Sequence, residues 1–87
     1  MVYYAVYGNN GCGVFLSWKR VEYARKYLRE VNCKKFTDYT EAEKYALEKL
    51  VSFVNRSHYK GAIIPERLEL GTIIFVSHLL NHNEKGN

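Results

Sequence analysis

Two short aromatic strands joined by a glycine cluster constrain the fold more than any other feature of this chain. Val2 to Tyr7 is a β-branched and aromatic run, and Val14 to Trp18 is a second one. Between them, residues 8–13 read Gly-Asn-Asn-Gly-Cys-Gly, and such residues tolerate the positive φ angles found in turns. The pattern predicts a β-hairpin whose loop is longer than the two-residue minimum.

A change of period after the hairpin predicts a helix, a strand and a second helix. Ser17 occupies an N-cap position, and Cys33 to Thr37 has the length of one strand. Thr40 to Glu43 has the capping-box form T-x-x-E, which predicts a helix that ends near Asn55. The apolar stripe of the first helix is Val21, Ala24, Leu28 and Val31. The inward residues of the second helix are Ala42, Ala46, Leu50, Phe53 and Val54.

The element order β-β-α-β-α predicts an α+β domain in which a small three-stranded antiparallel sheet carries two helices. We expect residues 1–56 to form this domain and residues 57–87 to form a C-terminal extension with a frayed tail. Thr72 to Val76 is β-branched enough for a strand, although residues 73–80 fit a buried helical segment equally well. The extension either packs on the domain or forms an oligomer interface.

Positive charge is concentrated in one part of the chain. Residues 19–35 contain seven basic and two acidic side chains, a net charge of +5, which leaves −1 for the rest of a chain whose total is +4. Such clustering is typical of a surface that binds a polyanion. The alternative is a solvated helix face on which Glu22–Lys26 and Lys26–Glu30 form i,i+4 pairs.

The cysteines and the hydropathy pattern indicate an intracellular protein, cytoplasmic or nuclear. Cys12 and Cys33 lack the spacing of metal ligands, no signal-peptide pattern is present, and reduced thiols are expected. A Cys12–Cys33 disulfide is the alternative. No apolar run approaches the roughly 18 residues of a membrane span, so no membrane association is expected.

Catalysis has little support in the sequence. The nine acidic residues lie mostly on predicted helix surfaces, whereas metal-dependent nucleic-acid hydrolysis needs several that converge. His78 and His82 are spaced i,i+4, but they lack an HExxH motif and a third ligand, which favours a polar helix end over a metal site. We therefore expect no enzymatic activity, no metal and no cofactor.

About the first fifty residues resemble the RNA–DNA hybrid-binding domain at the N-terminus of eukaryotic ribonucleases H, which is shared with the viroplasmin proteins of plant pararetroviruses. The spacing from Trp18 to Phe36 agrees with that family without gaps. The residues that carry the resemblance are Tyr4-Ala5-Val6, the glycine loop ending at Gly13, Val14-Phe15-Leu16-Ser17-Trp18, Lys34-Lys35-Phe36 and Glu41-Ala42-Glu43.

The resemblance implies a non-catalytic module that binds an RNA–DNA hybrid or double-stranded RNA through backbone and 2′-OH contacts. Trp18 would pack against the DNA backbone, and Lys34 and Lys35 would contact phosphates beside it, on the same open side of the molecule. Cys33 stands where the family has a second aromatic residue, and Asn9 and Asn10 replace its basic loop residues. The nucleic-acid-binding residues expected in this chain are Tyr4, Trp18, Lys19, Arg25, Lys26, Arg29, Cys33, Lys34 and Lys35.

An assembly module that kept the fold and lost nucleic-acid binding is the alternative function. Such a viroplasmin-like protein could be viral and could form a homodimer through Thr72, Ile73, Ile74, Phe75 and Val76. Alternatives also exist for single residues. Trp18 could be a core residue at the sheet edge, Lys34 and Lys35 could be solvated on an edge strand, and Tyr4 is favoured as a core residue. Cys33 is favoured as a small buried hydrophobe.

Overall fold

The N-terminal hairpin forms as predicted, but with a tighter turn. A computed structural model describes residues 1–56 and 61–79 of the chain. Strand β1 (Tyr3–Gly8) pairs antiparallel with β2 (Gly11–Phe15), and Gly8 lies opposite Gly11. Only Asn9 and Asn10 remain in the turn, so the prediction of a longer loop was wrong. None of the hairpin glycines has a positive φ.

The remaining elements complete an α+β fold with one strand more than predicted. Helix α1 is Trp18–Arg25, β3 is Asn32–Phe36, α2 is Tyr39–Arg56, β4 is Ile74–Phe75, and a 3-10 turn follows at Val76–His78. The sheet order is β3-β1-β2-β4, and all neighbouring strands are antiparallel. The α+β class is confirmed, and the three-stranded sheet is corrected to four strands.

Strand β4 joins the sheet because the glycines of β2 let another backbone approach closely. Phe75 lies opposite Gly11 in this pairing. A Cβ on Gly11 would collide with the carbonyl oxygen of Ile74, and one on Gly13 would lie 2.8 Å from the carbonyl oxygen of Thr72. The glycines expected to bend the chain therefore make room for the C-terminal segment.

The two helices cover opposite faces of the sheet. Successive side chains of a strand point to opposite sides, so both faces carry apolar residues that a helix buries. The α2 side holds one buried cluster, made of Ala5, Cys12, Val14, Ala42, Ala46, Leu50, Leu68 and Val76. The α1 side holds the other, made of Val6, Phe15, Val21, Ala24 and Leu28. The predicted stripe of α2 faces the sheet, as do Val21 and Ala24 of α1. Helix α1 ends at Arg25, however, so the prediction was wrong for Leu28 and Val31, which pack on the α1-side cluster from the loop after the helix.

Each long helix begins at a capping side chain. Ser17 Oγ accepts a hydrogen bond from the backbone N of Arg20 at 3.2 Å, which confirms the predicted cap of α1. For α2 the acceptor is Asp38 Oδ2, which lies 3.0 Å from the backbone N of Glu41. The capping box at Thr40 was therefore misplaced. Helix α2 ends at Arg56, close to the predicted end.

A buried carboxylate fastens the C-terminal segment to α2. Glu43 is only 6% exposed, and its Oε2 accepts a hydrogen bond from the backbone N of Leu68 at 2.7 Å. The hydroxyl of Tyr39 lies 3.2 Å from the same oxygen and also within reach of the carbonyl oxygen of Leu68, and its single proton serves one of these two acceptors at a time. Arg67 Nε completes the group at 3.4 Å from the carboxylate.

The apolar residues expected to form a homodimer contact lie within the chain's own core clusters. Val76 is 1% exposed, and Ile74 packs on the α2-side cluster. Ile73 and Phe75 pack on the α1-side cluster. The homodimer stays a prediction. Residues 80–87, which include His82 and the predicted frayed tail, lie outside the described residues.

The two thiols are free and cannot join. Cys12 faces α2 from strand β2, Cys33 faces α1 from strand β3, and β1 lies between these strands. Neighbouring strands are about 4.8 Å apart, so the two Cβ atoms are too far apart for a disulfide. The structure therefore excludes the disulfide alternative. Within the described ranges, no helix has the length and apolar character needed to cross a bilayer.

Candidate nucleic-acid interface

Trp18 is held as a half-exposed aromatic platform at the start of α1. Its side chain is 48% exposed, which excludes the alternative that it is a core residue. The centroids of the indole ring and of the Tyr4 ring lie 5.7 Å apart, and the indole Nε1 donates to Glu22 Oε2 at 3.2 Å. Tyr4 is itself half-buried against the α1-side cluster. These two contacts orient the indole while leaving much of it open to solvent.

The two adjacent lysines of β3 lie on opposite faces of the sheet. Lys35 pairs with Tyr4 in the β1–β3 register, so it shares the side on which Trp18 lies. Lys34 points to the α2 side, where its Nζ lies 5.0 Å from the ring centroid of Tyr45. The prediction that both lysines flank the indole was therefore wrong for Lys34, because neighbouring strand residues alternate between faces.

Cys33 lies on the same side as Lys35, among cations. It is half-buried, and burial raises the pKa of its thiol, whereas the positive charges of Arg25 and Lys35 lower it. Arg25 and Lys35 are therefore close enough to Cys33 for their charges to lower the pKa of its thiol. Packing of Cys33 on the α1-side cluster agrees with its interpretation as a small hydrophobe. We call the surface formed by Tyr4, Trp18, Arg25, Cys33 and Lys35 the Trp18 face.

Lys19 and Lys26 form the outer crest of α1. A helix turns about 100° per residue, which places both lysines opposite the buried Val21 and Ala24. Trp18 lies on the flank nearer to β3, and the crest adjoins it. The crest lysines are exposed and extend the positive charge of the Trp18 face across the helix.

The acidic residues around α1 accept hydrogen bonds from neutral donors. Glu22 accepts from the indole of Trp18, and Glu30 Oε1 accepts from Asn9 Nδ2 at 2.6 Å. Within residues 1–56 and 61–79, Lys26 forms no ion pair with either carboxylate. The structure therefore does not contain the i,i+4 pairs that the alternative interpretation requires.

Arg29 lies at the hairpin turn rather than on the Trp18 face. Its backbone N donates to Asn10 Oδ1 at 2.9 Å, and its carbonyl oxygen accepts from the backbone N of Asn9 at 2.8 Å. Asn10 Nδ2 donates to the carbonyl oxygen of Tyr27 at 2.9 Å. Asn9 and Asn10 thus tie the hairpin to the loop after α1, a role that the sequence did not reveal.

A second group of cations and aromatic rings, on the α2 side, also escaped sequence reasoning. Lys49 Nζ lies 5.1 Å from the ring centroid of Tyr45, which is the ring that Lys34 also approaches. The hydroxyls of Tyr7 and Tyr45 lie 3.3 Å apart, and this hydrogen bond together with burial raises the pKa of Tyr7 to about 12. The i,i+4 spacing of Tyr45 and Lys49 is the one signal that could have indicated the contact.

Comparison with known families identifies the family of the chain. A family model described as the ribonuclease H1 N-terminal domain matches residues 2–46, just over half of the chain. The chain belongs to this family. The match extends from β1 into α2, and it includes every residue of the Trp18 face. It confirms the resemblance seen in the sequence.

In its family, the ribonuclease H1 N-terminal domain is a non-catalytic module, and membership is consistent with nucleic-acid binding. No curated protein and no solved structure shows significant similarity to the chain. Within the described ranges, no group of three His, Cys, Asp or Glu side chains could hold a metal ion.

The two thiols of this ribonuclease H1 N-terminal domain should differ greatly in reactivity. Cys12 is fully buried, and burial raises the pKa of its thiol to about 12. Cys33 is partly accessible, and the positive charges of Arg25 and Lys35 offset part of the rise in pKa that burial causes. At about pH 8, iodoacetamide should modify Cys33 first, and more slowly than an unfolded cysteine, because a raised pKa leaves less thiolate. Cys12 should react only on unfolding. Peptide mass spectrometry measures both rates.

Saturation with a hybrid duplex should slow the modification of Cys33 further if the Trp18 face is the binding surface. Modification of Cys33 at the same rate in the bound and free protein would place the ligand elsewhere.

Proposed function

We propose that this chain is a non-catalytic module that binds RNA-containing, A-like duplexes, either RNA–DNA hybrid or double-stranded RNA. One observation carries the proposal. A half-exposed indole, held by Tyr4 and Glu22, lies on the same face of the sheet as Lys35, which is opposite Tyr4 in the strand register. Family membership is consistent with nucleic-acid binding in general.

The geometry suits recognition of a duplex backbone. An A-form duplex has a deep major groove that side chains cannot read and a shallow minor groove lined by 2′-hydroxyls. Trp18 would pack against the sugar–phosphate backbone, while Arg25 and Lys35 would contact phosphates on either side. The crest lysines, Lys19 and Lys26, would add longer-range attraction. Contacts of this kind position the ligand and carry little base-sequence information.

Titration against four matched ligands tests the proposal. We expect RNA–DNA hybrid and double-stranded RNA to bind most tightly, and double-stranded DNA and single-stranded RNA about tenfold or more weakly, because only the first two combine an A-like groove with 2′-hydroxyls. A contact with about three to five phosphates predicts a slope of about −2.7 to −4.5 when log K is plotted against log salt concentration. Fluorescence anisotropy measures both quantities.

A hybrid of the same length and composition with a shuffled base sequence is the control, and it should bind equally well. Absence of binding to every duplex at low salt, or equal affinity for hybrid and double-stranded DNA, would contradict the proposal.

A further inference from the structure

The flank of α1 that faces away from Trp18 carries an aromatic groove that the proposed function does not use. Tyr23 and Tyr27 are 54% and 49% exposed, and their ring centroids lie 5.2 Å apart. The hydroxyl of Tyr27 donates to that of Tyr23 at 3.2 Å, and this bond raises the pKa of Tyr27. With Phe15, Arg20 and Phe75, the two tyrosines line a groove of about 340 Å³.

The chemistry of this groove suits a flat, electron-rich ligand attached to phosphates. Among the described residues that line it, none is acidic and Arg20 is the charged one. The ammonium of Lys26 lies 6.0 Å from the ring centroid of Tyr23. Exposed aromatic rings beside cations are the combination on which proteins stack the bases of single-stranded nucleic acids. The volume is at the lower end of the range of ligand pockets.

The groove is continuous with the Trp18 face across the crest of α1. Tyr23 is five residues beyond Trp18, which corresponds to about 7.5 Å along the helix axis and about 140° around it. Lys19 and Lys26 occupy the surface between the two flanks, so a nucleic-acid strand that crosses the helix passes over two ammonium groups. The helix is about 10–12 Å wide, a distance that a few nucleotides span.

We propose that this groove binds unpaired nucleotides that continue from a duplex held on the Trp18 face, so that the preferred ligand is a junction between duplex and single strand. The inference rests on the proposed function and adds to it a second contact surface. Tyr23 and Tyr27 stack the bases of the unpaired strand, and Arg20 contacts its phosphates.

Binding to a blunt RNA–DNA hybrid and to the same hybrid with a tail of about five nucleotides tests the inference, with the tail placed in turn at each end of each strand. We expect one tail position to raise the affinity of the unaltered protein about tenfold, which is the gain in affinity that one or two stacked bases give. The double variant Tyr23→Ala/Tyr27→Ala should lose this gain and keep the blunt-duplex affinity. Tyr23→Phe/Tyr27→Phe, which keeps both rings, should keep the gain.

An abasic tail of the same length separates stacking from charge, because it has the same phosphates without bases. It should give little of the gain. The inference is overturned if no tail position raises the affinity, if the abasic tail raises it equally, or if the alanine variant keeps the gain. Failure of the blunt hybrid and of blunt double-stranded RNA to bind the unaltered protein overturns the proposed function itself, and this inference with it.

Discussion

Replacement of Trp18 and Lys35 together by alanine is expected to weaken binding to an RNA–DNA hybrid about a hundredfold. Loss of an aromatic contact costs roughly 1–3 kcal/mol, and loss of a phosphate contact adds to it, while each 1.4 kcal/mol changes affinity about tenfold. Lys35 is exposed, but Trp18 is half-buried against Tyr4, so the double variant should lose roughly 1–2 kcal/mol of the free energy of unfolding while remaining folded. Fluorescence anisotropy gives the affinity, and thermal unfolding checks the fold.

Lys34→Ala is the matched control for this experiment. Lys34 has the same charge, the same strand and the adjacent position, but its ammonium lies over Tyr45 on the opposite side of the sheet. We expect Lys34→Ala to weaken binding less than about threefold, through the loss of general electrostatic attraction alone. The single variant Lys35→Ala is measured beside it, and if Lys34→Ala weakens binding as strongly as Lys35→Ala, the Trp18 face is not the binding surface.

Glu43→Ala is expected to lower the free energy of unfolding by about 3 kcal/mol, because it removes a buried acceptor with several donors. The backbone N of Leu68 and the hydroxyl of Tyr39 would lose a charged partner inside the protein. Arg67 should contribute little of this effect, since its side chain is 80% exposed and its ion pair is screened by solvent. Urea denaturation measures the change.

Glu48→Ala is the control on the same helix, since Glu48 is exposed, and it should change the free energy of unfolding by less than about 0.5 kcal/mol. In the Glu43→Ala protein, the amide hydrogen of Leu68 should exchange faster with solvent, because this amide donates to the lost carboxylate. A change below about 1 kcal/mol would show that the segment is held by apolar packing alone.

Several elements could be predicted because their signals are local. Ser17 caps α1 since a serine at that position can accept from a backbone N three residues ahead, whatever the rest of the fold does. The apolar stripe of α2, and Val21 and Ala24 of α1, follow from helical period alone. The Trp18-to-Phe36 spacing indicated the family, and the match over residues 2–46 confirmed it.

Other features depend on contacts between distant parts of the chain. Strand β4 has two residues, too few to give a period, and it forms because Gly11 and Gly13 leave space for its backbone. The bond from Leu68 to Glu43 also joins distant residues, and it places the expected capping-box carboxylate against the C-terminal segment instead of at the start of α2. The cap of α2 at Asp38 is by contrast a local contact, since Asp38 accepts from the backbone N three residues ahead, and the Asp38 signal was overlooked in favour of Thr40.

The sequence by itself determined the class of the fold, the helix faces and the cluster of positive charge, because each arises from residue types at short, regular spacing. Only the tertiary structure decided which cations share a surface. Strand alternation separates Lys34 from Lys35, and helix α2 covers the side to which Lys34 points. Burial and orientation are properties of packing between elements, so they are settled when those elements meet.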